Sequence, residues 1–114
     1  MLQAAPAPVD RLFKAFSDRT RLRILHLLAD GEMCVCDLVG VLRVPQPTAS
    51  RHLAYLRRVG LVEVRQHKSW KHYSLTEARN PFHVKLLECL RTSFADVPEL
   101  RRDRDRRNKG KTRC

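Results

Sequence analysis

Two thiols one residue apart, Cys34 and Cys36 in the stretch EMCVCDLVGVL (residues 32–42), are the side chains of this sequence best suited to hold a soft ion. On a regular helix, positions i and i+2 point about 200° apart and cannot share one small ligand. In an extended or helix-capping segment the same positions project to one side, so both sulfurs reach a single ion. The pair is therefore a chelate only where a helix has not yet started or has been unwound. Cys89 and Cys114 are the remaining thiols and the sources of a third ligand. Two other uses of Cys34 and Cys36 compete with chelation: packing as small buried hydrophobes, and a thiol redox switch, which this spacing strains. The five histidines (His26, His52, His67, His72, His83) form no partnership with a nucleophile, and the sequence is not read as an enzyme.

A second group of residues suits nucleic acid. Gln46, Thr48, Ser50 and Arg51 follow one another in PQPTASR. Gln can read an adenine edge bidentately, Arg a guanine, and Ser or Thr either bases or phosphates. Downstream, Arg65, Lys68 and Lys71 suit phosphate contacts, which give affinity and register more than sequence choice. The charge agrees: 23 Lys and Arg against 12 Asp and Glu give +11 and a pI near 10.4. Residues 101–114, RRDRDRRNKGKTRC, supply +6 of that, and the rest of the chain stays basic without them.

The elements that must position these groups follow from periodicity. Val9, Leu12, Phe13 and Phe16 recur at helical spacing, and Ser17-Asp18 signals the start of a second helix through Leu22, Ile24, Leu25, Leu27 and Leu28, stopping at Asp30-Gly31. Cys34 and Cys36 open a third, with Asp37 at the positive end of its dipole. Pro45 and Pro47 fit only around a helix start, so the fourth runs from near Gln46 to Val59 and ends at Gly60. Residues 61–65 and 72–75 read as antiparallel strands with His67, Lys68 and Ser69 at their tip. A last helix starts near Asn80-Pro81, with Phe82, Leu86, Leu90 and Phe94 at four-residue spacing. Such a stripe needs cover, and pairing with a second copy of the chain supplies it. The expectation is a mainly α fold with a small β-hairpin, a winged helix-turn-helix, homodimeric through its first and last helices. Residues 1–98 form that domain and 99–114 a basic flexible tail. No run reaches the roughly 18 apolar residues of a membrane span, and MLQAAPAPVD lacks the pattern of a secretory signal, so the expected location is the cytoplasm.

SDRTRLRILHLL, EMCVCDL, PQPTASRHLAYLRRVGLV and HYSL, in this order and spacing over residues 9 to 95, resemble the ArsR/SmtB family of metal-responsive winged-helix repressors. EMCVCDL is similar to that family's ELCVCDL box, whose paired thiolates bind arsenite or antimonite in arsenic sensors and help bind cadmium, lead or zinc in others. The resemblance implies a dimeric repressor of double-stranded operator DNA that dissociates when the ion binds Cys34 and Cys36, and it puts Gln46, Ser50 and Arg51 at positions used on DNA. It implies an inducer, arsenite or antimonite, and no cofactor. Cadmium, lead and zinc are the alternative effectors. Two departures stand out: Val39 where some arsenic sensors carry a third Cys, and Lys68 where a Gly is usual at the wing tip.

Overall fold

Asp18 separates the first two helices. Its carboxylate accepts the Arg21 N–H at 3.0 Å, capping α2 (Arg19–Leu28), while the Ser17 hydroxyl donates to Lys14 O and closes α1 (Val9–Phe16). The computed structural model describes residues 8 to 110. Along them follow β1 (Met33–Cys34), α3 (Val35–Leu42), α4 (Gln46–Arg58), β2 (Val62–His67), β3 (Trp70–Leu75), α5 (Pro81–Thr92) and α6 (Pro98–Lys109). No helix among them is long and apolar enough to cross a membrane.

Helix α2 lies at the centre. Ile24, Leu25, Leu27 and Leu28 are all buried, because α1, α3, α4, α5 and α6 pack around it. Leu38 and Leu42 of α3, Leu53 and Leu56 of α4, and Leu61 complete the core, each burial contributing about 1.5–3 kcal/mol before entropy. Arg43, in the left-handed conformation (φ 58°), ends α3, and the chain turns through Pro45 into α4. Gly60 (φ 85°) takes the same region where α4 gives way to β2, a conformation glycine adopts without the Cβ penalty.

Three features differ from the sequence expectation. The wing is not a lone hairpin: β1 adds a third antiparallel strand, in the order β1-β3-β2, with Met33 opposite Tyr73 and Cys34 opposite His72. Its tip is Lys68-Ser69 alone, since His67 pairs with Trp70 in the ladder. On α5 the buried face is His83, Leu87 and Leu90, whereas Phe82, Leu86 and Phe94 are only half-buried. Phe82 meets Phe13 edge-to-face at 5.1 Å, and with Val9, Phe13 and Val84 exposed, an apolar patch spans α1 and α5.

The largest correction concerns the expected flexible tail. Residues 98–109 form α6, which lies against α2 and α3; residues 111–114 fall outside the described residues. Its anchor is Asp103, fully buried, which accepts from Arg23 Nε (2.8 Å) and Nη2 (2.9 Å) and from Arg106 Nη2 (2.8 Å). The same arginines donate onward to the last carbonyls of α3, Arg23 to Leu42 O and Arg106 to Val41 O, both at 3.0 Å. Arg107 donates to Leu27 O and Gly31 O, and Arg104 to Asp30, tying α6 to the end of α2. Much of the tail's charge is thus used inside the molecule, on helix-end carbonyls that lack intrahelical partners.

Asp103→Ala strands two guanidinium groups, one of them on the largely buried Arg23, and should cost about 3–5 kcal/mol in urea unfolding; a loss below about 1 kcal/mol would mean that α6 does not anchor the fold. A second expectation concerns acid. His26 and His83 are buried, each with one ring nitrogen lacking a partner among the described residues, and burial holds both below the ordinary 6.5. The unfolded chain then takes up these protons first as pH falls, so stability is full above about pH 6.5 and declines below it. The urea midpoint should drop between about pH 7 and 5.5, and Gln at both positions should flatten that drop.

Candidate nucleic-acid interface and thiol box

The sequence DRTRLR builds the platform on which the recognition helix stands. Arg21 donates to Lys14 O and Ala15 O, closing the end of α1, and its guanidinium lies 4.2 Å over the Tyr55 ring of α4. Arg23 holds the far end of α3 through Asp103, so both helices flanking the Arg43–Pro45 turn are braced from α2. Helix α4 then presents its first turn outward. Gln46, Ser50 and Arg51 are exposed and Thr48 is half-buried, while Ala49, Leu53 and Leu56 face the core. Pro45 caps this helix without a side-chain hydrogen bond, leaving the positive end of the dipole open to an anion.

Between α4 and the wing lies a cleft of about 710 Å³. Gln46, Ser50, Arg57 and Arg58 line one wall; Gln66, Trp70 and Lys71 line the other. Its cationic walls suit a phosphodiester backbone. Arg57, Gln66 and Trp70 were missed by sequence reasoning; the i, i+4 and i+11 spacing of Gln46, Ser50 and Arg57 along one helix face was the available signal for Arg57. Lys68 keeps its expected place at the tip in the left-handed region (φ 55°), a cost of about 1–2 kcal/mol. The Gln66 side chain donates to Lys68 O at 3.2 Å and supports that turn.

Arg65 is not a free cation in this structure. Its Nε and Nη2 each donate to Glu32 at 2.7 Å, a bidentate pair that pulls the Glu32 carboxyl below its ordinary value. The residue expected to contact phosphate is thus paired, in this structure, with the carboxylate that opens the EMCVCDL stretch.

That box straddles two kinds of backbone. Cys34 is extended (φ −76°, ψ 157°), buried, and serves both as the end of β1 and as the N-cap of α3; Cys36 is half-buried in the first helical turn. The pair therefore straddles the helix start: Cys34 lies in the extended backbone that the chelate expectation calls for, while Cys36 is already helical. Cys34 and Cys89 stand outside any disulfide, whereas Cys36 is disulfide-bonded. Cys89 is half-buried on α5, and Cys114 lies outside the described residues. Among the described residues no three of His, Cys, Asp and Glu converge to hold a metal ion. On α5, His83 is buried and accepts the Arg79 N–H at 3.2 Å.

A family model described as "Bacterial regulatory protein, arsR family" matches residues 18–64. The chain is 45% identical over 80 residues, 69% of its length and 90% of the relative's, to the uncharacterized HTH-type transcriptional regulator MJ1325 of Methanocaldococcus jannaschii. It is 41% identical over 100 residues, 86% of each chain, to the arsenical resistance operon repressor of Escherichia coli K12. Among solved structures, reduced HlyU from Vibrio cholerae superposes with a TM-score of 0.67 at 33% identity, over 76% of this chain and 88% of that one.

Two classes of substitution should separate on DNA. Gln46→Ala and Arg51→Ala should lose about 1–3 kcal/mol of discrimination between matched and scrambled duplexes, while Arg57→Ala and Lys71→Ala should weaken both alike and reduce the log-log salt slope by roughly 0.9 per phosphate contact. Competition binding reads the difference, and unchanged discrimination in both first-turn variants would remove α4 from the role of reader.

Proposed function

Because this chain belongs to the arsR family of bacterial transcriptional regulators, we propose that it is a dimeric repressor whose operator complex is released when arsenite or antimonite binds Cys34 and Cys36. The observation that carries this reading is the double duty of Cys34, which ends a strand of the wing and caps the helix leading to the recognition helix. Drawing the sulfurs of an extended residue and a helical residue onto one ion changes the backbone at their junction. Both DNA-contacting elements, α4 through α3 and the wing through β3, are attached at that junction.

The chemistry balances simply. Each As–S bond replaces an As–OH bond of arsenite, and the thiol proton leaves with the hydroxide as water. The site therefore works only in the reduced protein, with the Cys36 disulfide opened by an added thiol. Two thiolates come from the box, and Val39 supplies none. The third position of the trivalent ion goes to Cys114, solvent or an added thiol. Cys89 packs on α5 and is not required. The dimer forms through the apolar patch of α1 and α5, where Val9, Phe13 and Val84 are open to solvent. Releasing a repressor in this way needs a coupling free energy of about 1–3 kcal/mol between ion and DNA.

Cys34→Ser and Cys36→Ser, reduced, should bind operator as the parent does yet stay bound when arsenite is added, whereas Cys89→Ser should be released like the parent. Fluorescence anisotropy of a labelled operator measures both. Release of the double variant Cys34→Ser/Cys36→Ser by arsenite would refute the site, and release of the parent by oxidant but not by arsenite would make the thiols a redox switch.

A further inference from the structure

We propose that Glu32 is a positioning residue for DNA binding: by holding Arg65 it locks the wing to the strand that carries Cys34. Three observations meet at this point. The Glu32 carboxylate takes Arg65 Nε and Nη2 at 2.7 Å each, so the guanidinium plane and the carboxylate plane fix one another. Arg65 lies opposite His72 on one side of β3, and Cys34 lies opposite the same residue on the other, so the three form one rung across the sheet. The ring of His72 approaches Glu32 to 4.0 Å, placing it on the face where the ion pair sits.

Strand β1 is only two residues long, and its ladder to β3 is correspondingly short. The Glu32–Arg65 pair joins it to β2 as well, bridging the sheet from edge to edge across residues 33 apart in sequence. Arg65 thus serves the wing by orienting it, not by touching phosphate. With the reading of Cys34 and Cys36 as effector thiols, on which only this last step rests, the wing moves with the box: an ion that shifts β1 pulls on Glu32 and misaligns Lys68 and Lys71.

The sign of one substitution separates this from ordinary electrostatics. Glu32→Gln removes a negative charge from a DNA-binding face, which by charge alone tightens binding. Loss of the latch instead weakens operator affinity, by about three- to fivefold for a bidentate exposed pair. The charge-swapped pair Glu32→Arg/Arg65→Glu keeps the net charge and the contact, and should restore most of what Arg65→Glu alone loses. Circular dichroism melts of each variant check folding, and amide exchange over residues 65–71 of the DNA-free Glu32→Gln protein should be faster than in the parent. Glu32→Gln binding as tightly as the parent or more so overturns the proposal, as does a swapped pair no better than Arg65→Glu. A final arm adds arsenite to the reduced, DNA-free protein. The thiolate–arsenic ultraviolet absorption should appear equally in parent and Glu32→Gln, while the emission change of Trp70, the single tryptophan, should be largely lost in the variant. No absorption in the parent defeats the effector reading while the affinity and rescue measurements still decide the latch; absorption with an equal Trp70 response in both proteins defeats the coupling.

Discussion

The direction in which α4 leaves the body of this molecule is set, at one remove, by a carboxylate that water does not reach. Asp103 draws Arg23 and Arg106 together, and those two arginines use their remaining donors on the last two carbonyls of α3. An α-helix ends with carbonyls that have no partner of their own. Supplying them from two guanidinium groups fixes where α3 stops, and hence the direction in which Arg43 and Pro45 launch α4. Burying such a charged group gains little by itself, because desolvation offsets much of the attraction. What the network contributes is a defined geometry: helices α2, α3 and α6 share one junction, and the recognition helix inherits its orientation from it.

The other end of α3 is held differently. There the brace is a sheet, with β1 paired to β3 and Glu32 reaching across to Arg65. A short strand of two residues is a weak hold compared with a buried ionic junction. Helix α3 is therefore anchored firmly at its C-terminal end and lightly at its N-terminal end, and the two thiols sit at the light end. A ligand of modest binding energy acts most effectively where the structure resists least.

Most of the helical frame was legible in the sequence. Pro45, Pro47 and Gly60 bracket α4, Asp18 and Gly31 bracket α2, and Asn80-Pro81 marks α5, because caps and breakers act within a turn or two of chain. What escaped depends on partners far away. No periodicity marks Met33–Cys34 as a strand; its pairing with Tyr73 and His72 exists only once the wing has folded. Residues 98–109 look like a solvated run of charge, since a 3.6-residue pattern built from Leu100 and Asp103 has one apolar member and one acid. Its arginines bond to backbone carbonyls, which have no letter in the sequence. The ion pair of Arg65 escaped for a related reason: a basic residue on a wing suggests phosphate, and nothing local reveals that Glu32 lies within its reach. The exposed first turn of α4 and the place of Cys34 and Cys36 at the start of α3 were easier to read, because both depend on residues that stand close together along the chain.

The separation of 80 residues between Arg23 and Asp103 has a consequence for how the molecule comes into being. During synthesis α1 through α5 are complete, and the wing can pair, before Asp103 has been added to the chain. Until it emerges, Arg23 lacks the carboxylate that orients its guanidinium, and Val41 O lacks its donor Arg106. The recognition helix therefore acquires its fixed orientation late, when α6 docks between α2 and α3. A nascent chain paused short of that point carries α4 complete but lacks part of the frame that aims it, so the emergence of α6 also times when α4 is held in place.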